Sequence, residues 1–194
     1  MTVNATGKRS IVFSPNQGYR DLPLEIPCGQ CIGCRLERSR QWAIRISHEA
    51  SLHEHNSFIT LTYNNENLPK DLSLDVTHFQ KFLKRLRAHT EDPDSDLYPN
   101  ILSQSKKPRF FHCGEYGEKF ARPHYHACMF DLDFADQKHW KTINGNKHYT
   151  SETLEKIWPF GFSTIGDVTF ESAAYVARYV TKKITGKNAL HHYN

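Results

Sequence analysis

Apolar residues recur along this chain with two different periods. From about Arg35 to His53 the spacing predicts a helix. Leu36, Ala43, Ile46 and Ala50 share one face of it, and Arg35, Arg38, Trp42 and Arg45 share another. Phe58-Ile-Thr-Leu-Thr-Tyr63 is β-branched and aromatic and reads as a strand, which Asn64-Asn65-Glu66-Asn67 ends. Asp75 is placed to cap a second helix, with Val76, Phe79, Leu83 and Leu86 as its apolar stripe. Lys81, Lys84, Arg85 and Arg87 lie away from that stripe. Residues 89–108 are polar and proline-punctuated and read as a long loop. Arg109–Cys113 and His124–Phe130 read as the strands of a hairpin, and 131–149 as a polar, insertion-like stretch. Thr150-Ser151-Glu152 starts a short helix that Pro159 stops. A strand follows over Phe162–Val168, then a last helix from about Glu171 to Ile184. Residues 1–27 are irregular, punctuated by Pro15, Gly18, Pro23 and Pro27. Helices and strands mix without regular alternation, which predicts an α+β domain with a mainly antiparallel sheet.

Composition narrows this picture. The chain has 194 residues, 38% hydrophobic and 24% charged, enough for one domain spanning 1–194 around one core. No apolar run is long enough for a membrane span, and no signal-peptide stretch follows Met1. Five cysteines, an odd number, argue against a disulfide framework and for a reducing cytosol. A net charge of +4 is only mildly basic. The distribution of charge says more, because Arg35, Arg38 and Arg45 flank Trp42 on one helix face. Such a set suits phosphates with one base stacked between them. Lys106, Lys107 and Arg109 add another basic group.

Three constellations carry chemistry. In Arg122-Pro-His-Tyr-His126, strand alternation sends His124 and His126 to one face and Tyr125 to the other. Two imidazoles about 7 Å apart along a strand can share one metal ion. A hairpin would bring Glu115 alongside as a third ligand, with Glu118 in the connection the less favoured choice. Two histidines and a carboxylate leave positions open for substrate oxygen and suit Mg²⁺ or Mn²⁺. The plain alternative is a polar strand face in a chain with 12 histidines.

Tyr175 and Tyr179 lie four apart on the last helix and face the same way, with Lys182 continuing that face and Lys183 next to it. A tyrosine can attack a phosphodiester and form a phosphotyrosine link. The phenol needs help at neutral pH, which a metal on the phosphate or Lys182 could supply. Otherwise the pair simply packs. Cys28, Cys31 and Cys34 have spacing that suits structural zinc with a fourth ligand, for which Cys113, Cys128 and His48 are candidates. Position 38 is Arg38 rather than cysteine, which argues against an iron–sulfur cluster. The alternative is three reduced cysteines that bind nothing.

The order Glu115…His124-Tyr-His126…Tyr175-x-x-x-Tyr179 resembles that of the HUH replication initiators. Cys28-Gly-Gln-Cys31-Ile-Gly-Cys34-Arg, Cys113-Gly-Glu-Tyr-Gly-Glu118 and Tyr-Val-Ala-Arg-Tyr-Val-Thr-Lys-Lys183 are similar to the gokushovirus replication initiation proteins within that class. The resemblance covers about residues 25–190. It implies a five-stranded antiparallel sheet flanked by helices. It also implies a site-specific single-strand endonuclease and strand transferase that nicks origin DNA to start rolling-circle replication. His124 and His126 would be ligands, and Tyr175 and Tyr179 nucleophiles. Implied partners are single-stranded origin DNA and the host helicase and polymerase, in the host cytoplasm. The chain ends where such initiators would be expected to continue. Other readings are a plasmid initiator, relaxase or transposase of the same fold, and a zinc-stabilised, non-catalytic DNA-binding module.

Overall fold

The computed structural model describes residues 2–3, 9–12, 14–17, 25–117 and 119–181. By internal packing the chain forms two units, Met1–Cys34 and Arg35–Asn194. In the first, Thr2–Val3 and Arg9–Ser10 pair antiparallel, and Pro15–Gln17 makes a 3-10 turn.

The labelled elements, in chain order, are α1 (Ile32–Ala50), β1 (Asn56–Tyr63), α2 (Val76–Glu91), β2 (Arg109–Tyr116), β3 (Pro123–Phe130), β4 (Lys138–Ile143), β5 (Asn146–Thr150), α3 (Glu152–Ile157), β6 (Gly161–Gly166) and α4 (Phe170–Thr181). The six strands form one antiparallel sheet in the order β2-β3-β1-β6-β5-β4. The α+β class and the antiparallel sheet agree with the sequence reading. The sheet has six strands where the resemblance implied five. Two of the six come from the β4–β5 hairpin, which the sequence reading took as a polar insertion. Most of its residues are polar and exposed, so the apolar alternation that announces a strand is missing. A short pair, Ile101–Leu102 with Asp133–Phe134, was also not anticipated.

Alternation along β1 and β3 partitions the sheet into two faces. Ile59, Leu61, Tyr63, Tyr125, Ala127 and Met129 point into the larger core, where Phe79, Phe82 and Leu86 of α2 and Leu154, Ile157 and Trp158 cover them. Phe58, Cys128 and Phe130 point the other way, toward Ala43 and Ile46 of α1 and Ala173, Val176 and Ala177 of α4.

Local signals set the helix starts. Asp75 caps α2 by accepting from the Thr77 N–H at 2.9 Å, and Ser151 caps α3 by accepting from the Leu154 N–H at 3.1 Å. Two predicted core positions are exposed instead: Leu36 at 54% and Val76 at 58%. Both lie in the first turns of their helices, before the sheet begins to cover them. Phe82, absent from the predicted stripe, is fully buried. No described helix is long and apolar enough to cross a membrane.

Candidate active site

The register of β2 and β3 builds the site. Glu115 lies directly opposite His124, and Cys113 opposite His126. Glu115, His124 and His126 therefore share the face covered by α1 and α4, while Tyr125 points into the opposite core. Gly114 separates Cys113 from Glu115 and faces that core. A Cβ there would lie 2.6 Å from Leu74 Cδ1, so only glycine fits without displacing Leu74.

One ligand atom from each of Glu115, His124 and His126 lies within 4.8 Å of the others. Glu115 Oε2 is 3.7 Å from His124 Nε2 and 3.3 Å from His126 Nε2. The ring orientations are fixed from behind. His124 Nδ1 donates to the Arg122 carbonyl at 3.0 Å, and His126 Nδ1 lies 2.9 Å from Thr60 Oγ1. A ring that donates through Nδ1 keeps the Nε2 lone pair for a metal, the usual arrangement of a ligating histidine. His126 Nε2 is buried and lacks a hydrogen-bond partner, its approach to Glu115 not having hydrogen-bond geometry. A buried polar atom so placed, beside a carboxylate and a second Nε2, fits a divalent cation between them.

Tyr175 of α4 completes the cluster. Its hydroxyl donates to Glu115 Oε2 at 2.8 Å. Its ring meets the His126 ring edge-on at 5.1 Å and the Tyr179 ring at 4.9 Å. The predicted pairing of Tyr175 with Tyr179, and of Glu115 with the histidines, is thus present as one cluster.

Electrostatics follow from burial and from these contacts. Burial pushes the Glu115 carboxyl up, but the neighbouring His126, Tyr179 and Tyr175 outweigh it and leave the group below its ordinary value. Glu115 is therefore an anion at neutral pH. Burial lowers the His124 pKa, which favours the neutral, ligating form. Burial, and then Tyr179 and Glu115, hold the Tyr175 phenol well above its ordinary value. In this arrangement Tyr175 keeps its proton.

The remaining predicted residues fall elsewhere. Lys182 and Lys183 lie outside the described residues, as does Glu118. Arg38 and Arg45 are exposed, and Arg35 is partly covered. The Arg45 guanidinium lies 5.0 Å from the Trp42 ring centroid, and that ring sits 5.1 Å from Phe111. Trp42, Arg45, Glu49, Arg109 and Phe111 help line an open pocket of about 240 Å³. Arg109 pairs with Glu49 there. The sequence had placed Arg109 in a separate basic group, because the pairing of β2 with its neighbours was needed to bring it to α1. Arg85 leaves the basic surface. Its Nε donates to the Ile157 carbonyl at 2.8 Å, and its guanidinium lies 5.4 Å from the Phe160 ring centroid. Thr60, absent from the sequence reading, sits behind His126. Its only signal was its place on the strand paired with β3.

In the first unit, the Sγ atoms of Cys28, Cys31 and Cys34 lie within 4.8 Å of one another. The Cys31 N–H points at Cys28 Sγ at 3.3 Å, and the Cys34 N–H at Cys31 Sγ at 3.5 Å. The backbone donor of Cys31, then that of Gln30, lowers the Cys28 thiol to about 7. Thiolates with such donors suit a soft cation such as zinc. Cys113 and Cys128 behave differently: burial pushes both thiols up to about 12, as expected of apolar core groups.

The replication-associated protein ORF2 family matches residues 56–184, the stretch from β1 through α4. The chain is 38% identical over 192 residues to the replication-associated protein VP4 of Bdellovibrio phage phiMH2K, covering 97% of this chain and 58% of that one. It is 39% identical over 171 residues to the replication-associated protein ORF2 of Spiroplasma virus 4, covering 84% and 50%. It is 34% identical over 163 residues to the replication-associated protein ORF4 of Chlamydia phage 1, covering 81% and 38%. The chain therefore spans 38–58% of the length of these curated relatives. No solved structure matches it. With the family match running through both the histidine strand and the tyrosine helix, the chain belongs to the replication-associated protein ORF2 family.

Proposed function

We propose that this chain is the nicking domain of a phage rolling-circle replication initiator. One observation carries the reading: the Tyr175 hydroxyl donates at 2.8 Å to Glu115, the carboxylate that shares a donor cluster with His124 and His126. A packing tyrosine has no need of a buried carboxylate flanked by two histidines.

Glu115, His124 and His126 would hold Mg²⁺ or Mn²⁺. When bound, the ion supplies Lewis-acid polarisation of the scissile phosphate. The protein's own residues do the rest. Thr60 and the Arg122 carbonyl orient the imidazoles, and Glu115 positions the phenol. A tyrosine oxygen attacks phosphorus, the new bond joins it to the 5′ phosphate, and the bond to the 3′ oxygen breaks. The phenolic proton passes to solvent, and the departing 3′ oxygen takes one up from solvent and leaves as a hydroxyl, which can prime synthesis. The phosphoester bond is conserved, so a later attack by a 3′ hydroxyl rejoins the strand and frees the tyrosine. With Tyr175 and Tyr179 side by side, two such transfers can follow in sequence. Lys182 and Lys183 would steady the phosphates, and Arg35, Arg38, Trp42 and Arg45 the flanking strand. Cys28, Cys31 and Cys34 would hold structural zinc with a fourth ligand. The partners are single-stranded origin DNA and the host's helicase and polymerase, in the host cytoplasm.

The test uses labelled single-stranded oligonucleotides tiling the phage origin, with Mn²⁺ or EDTA, on denaturing gels. The expected result is a metal-dependent protein–DNA adduct on the 5′ fragment, lost in Tyr175→Phe/Tyr179→Phe. An adduct that persists in the double variant overturns the reading. So does the absence of any adduct while DNA binding is intact, which would favour a zinc-stabilised binding module instead.

A further inference from the structure

The β4–β5 hairpin touches the larger core through Tyr149 of β5, and its outer part lies beyond that core. Every residue from Lys138 to Lys147 is exposed. The two strands pair with each other from Lys138 and Thr150 out to Ile143 and Asn146. β5 is in register with the rest of the sheet at Tyr149, opposite Ile165, and the Lys147 carbonyl lies beside Gly166 at the end of β6. The hairpin is thus a two-stranded ribbon that runs on past the sheet. Asn144 and Gly145 close it with φ of 48° and 81°, the left-handed pair of a tight, stiff turn.

Its chemistry is one-sided. Between Gln137 and Ser151 there are three lysines, two histidines and no acid. Lys138 pairs with Glu152 at the base of the ribbon, and Lys141 and Lys147 lie further out, on opposite strands. The register shifts between His139 and Lys141, so Trp140 is an extra, bulged residue. A bulge re-aims its side chain, and Trp140 is 53% exposed, with Lys141 Nζ 3.7 Å from its ring centroid. Ile143, next to the turn, is 43% exposed. Lysines alone on an edge strand would serve to discourage strand–strand aggregation. An exposed tryptophan and isoleucine work against that purpose and indicate a surface that meets something.

We propose that this ribbon is a duplex-DNA-binding arm, an inference that rests on the reading of this domain as acting on origin DNA. A two-stranded ribbon fits the major groove of B-form DNA, which is about 12 Å wide. Lysines on its two strands can reach the two phosphate backbones, and Trp140 and Ile143 offer apolar contact to base edges in the groove. The arm thus holds the double-stranded flank while the Glu115–His124–His126–Tyr175 cluster, three strands away in the sheet, works on the unpaired strand. Charge complementarity with phosphate selects nucleic acid as the partner, and the paired, groove-sized shape selects duplex.

The experiment compares wild type with Trp140→Ala/Lys141→Ala/Lys147→Ala. It measures anisotropy on a labelled duplex and on a single strand across a salt series, and adduct formation on single-stranded oligonucleotides. Duplex affinity is expected to fall about tenfold or more. Its log–log salt slope should flatten by about 1.8, corresponding to two phosphates. Single-strand binding and adduct yield should stay at wild-type levels. The charge-reversed pair Lys141→Glu/Lys147→Glu, which keeps the tryptophan, should lose still more duplex affinity. Unchanged duplex affinity and slope in both variants overturn the proposal, and so do equal losses on duplex and single strand. A selective duplex loss in a protein that forms no adduct at all supports the arm while the nicking reading fails.

Discussion

The two faces of the sheet use the same strands for opposite ends. On β3, Tyr125 and His126 are neighbours in sequence and point apart. The Tyr125 hydroxyl donates to the Asp75 carbonyl at 2.6 Å and accepts from Tyr63 at 3.3 Å, among Phe79 and Trp158. Burial raises its pKa, and its acceptor is a backbone carbonyl that cannot change charge. Tyr175, on the other face, also has a raised pKa, but its acceptor is Glu115, a carboxylate in a donor cluster with two histidines. One phenol is locked into the core. The other is held by a group whose charge a cation would neutralise. The larger core holds most of the buried apolar side chains, and the smaller one lies beside the buried Glu115 and His126.

The sharpest test exchanges damage between the faces. Trp158→Ala should cost about 3–5 kcal/mol in urea unfolding, since Trp158 is fully buried and its indole N–H donates to the Thr62 carbonyl at 3.2 Å. Glu115→Gln keeps the shape and should cost at most about 1 kcal/mol, yet abolish Mn²⁺ binding by calorimetry. If Glu115→Gln proves the more destabilising, the division into a stabilising face and a reactive face is wrong. Metal addition gives the complementary measurement. At Mn²⁺ about a hundredfold above its dissociation constant, unfolding free energy should rise by about 2.7 kcal/mol in wild type. It should not rise in His124→Ala/His126→Ala. An equal rise in that variant would place the ion elsewhere.

A smaller effect is expected one shell out. Thr60→Val removes the oxygen 2.9 Å from His126 Nδ1 and should weaken Mn²⁺ about 10–100-fold. Unchanged affinity would mean that ring orientation is set by packing against Phe58, stacked 5.5 Å away, instead.

Thr60 also marks where sequence reading stops. The strand at Phe58–Tyr63 was legible from its β-branched and aromatic residues, and the opposed faces of His124-Tyr125-His126 from strand alternation. The Tyr175–Tyr179 pairing was legible from helical geometry alone. The link from Thr60 to His126 depends on which strand lies beside β3, and that is long-range information. Leu36 shows a different limit. Periodicity identifies a shared helix face but not where along it burial begins, and the first buried residue of α1 is Ser39, whose hydroxyl donates to the Ala174 carbonyl of α4. The β4–β5 ribbon was missed as strands because, with every residue from Lys138 to Lys147 exposed, nothing imposes a period of two there.

The smallest predicted effect returns to the larger core, through a histidine that packs there. His112, on β2, stacks against Phe79 with ring centroids 4.1 Å apart and planes 3° from parallel. Burial lowers its pKa below the ordinary 6.5. The folded state therefore holds His112 neutral at a pH where the unfolded chain has begun to protonate it. Below about 6.5 the unfolded state binds more protons, so this contribution to stability is present above that pH and is lost as pH falls toward the folded value. His112→Phe keeps an aromatic partner for Phe79 and removes the titration. Between about pH 7.5 and about pH 5, wild type should lose more unfolding free energy than the variant. Parallel losses would mean that His112 accepts its proton without leaving the stack. It would then belong with the adaptable polar groups of the opposite face, and the larger core would not be as closed as its packing indicates.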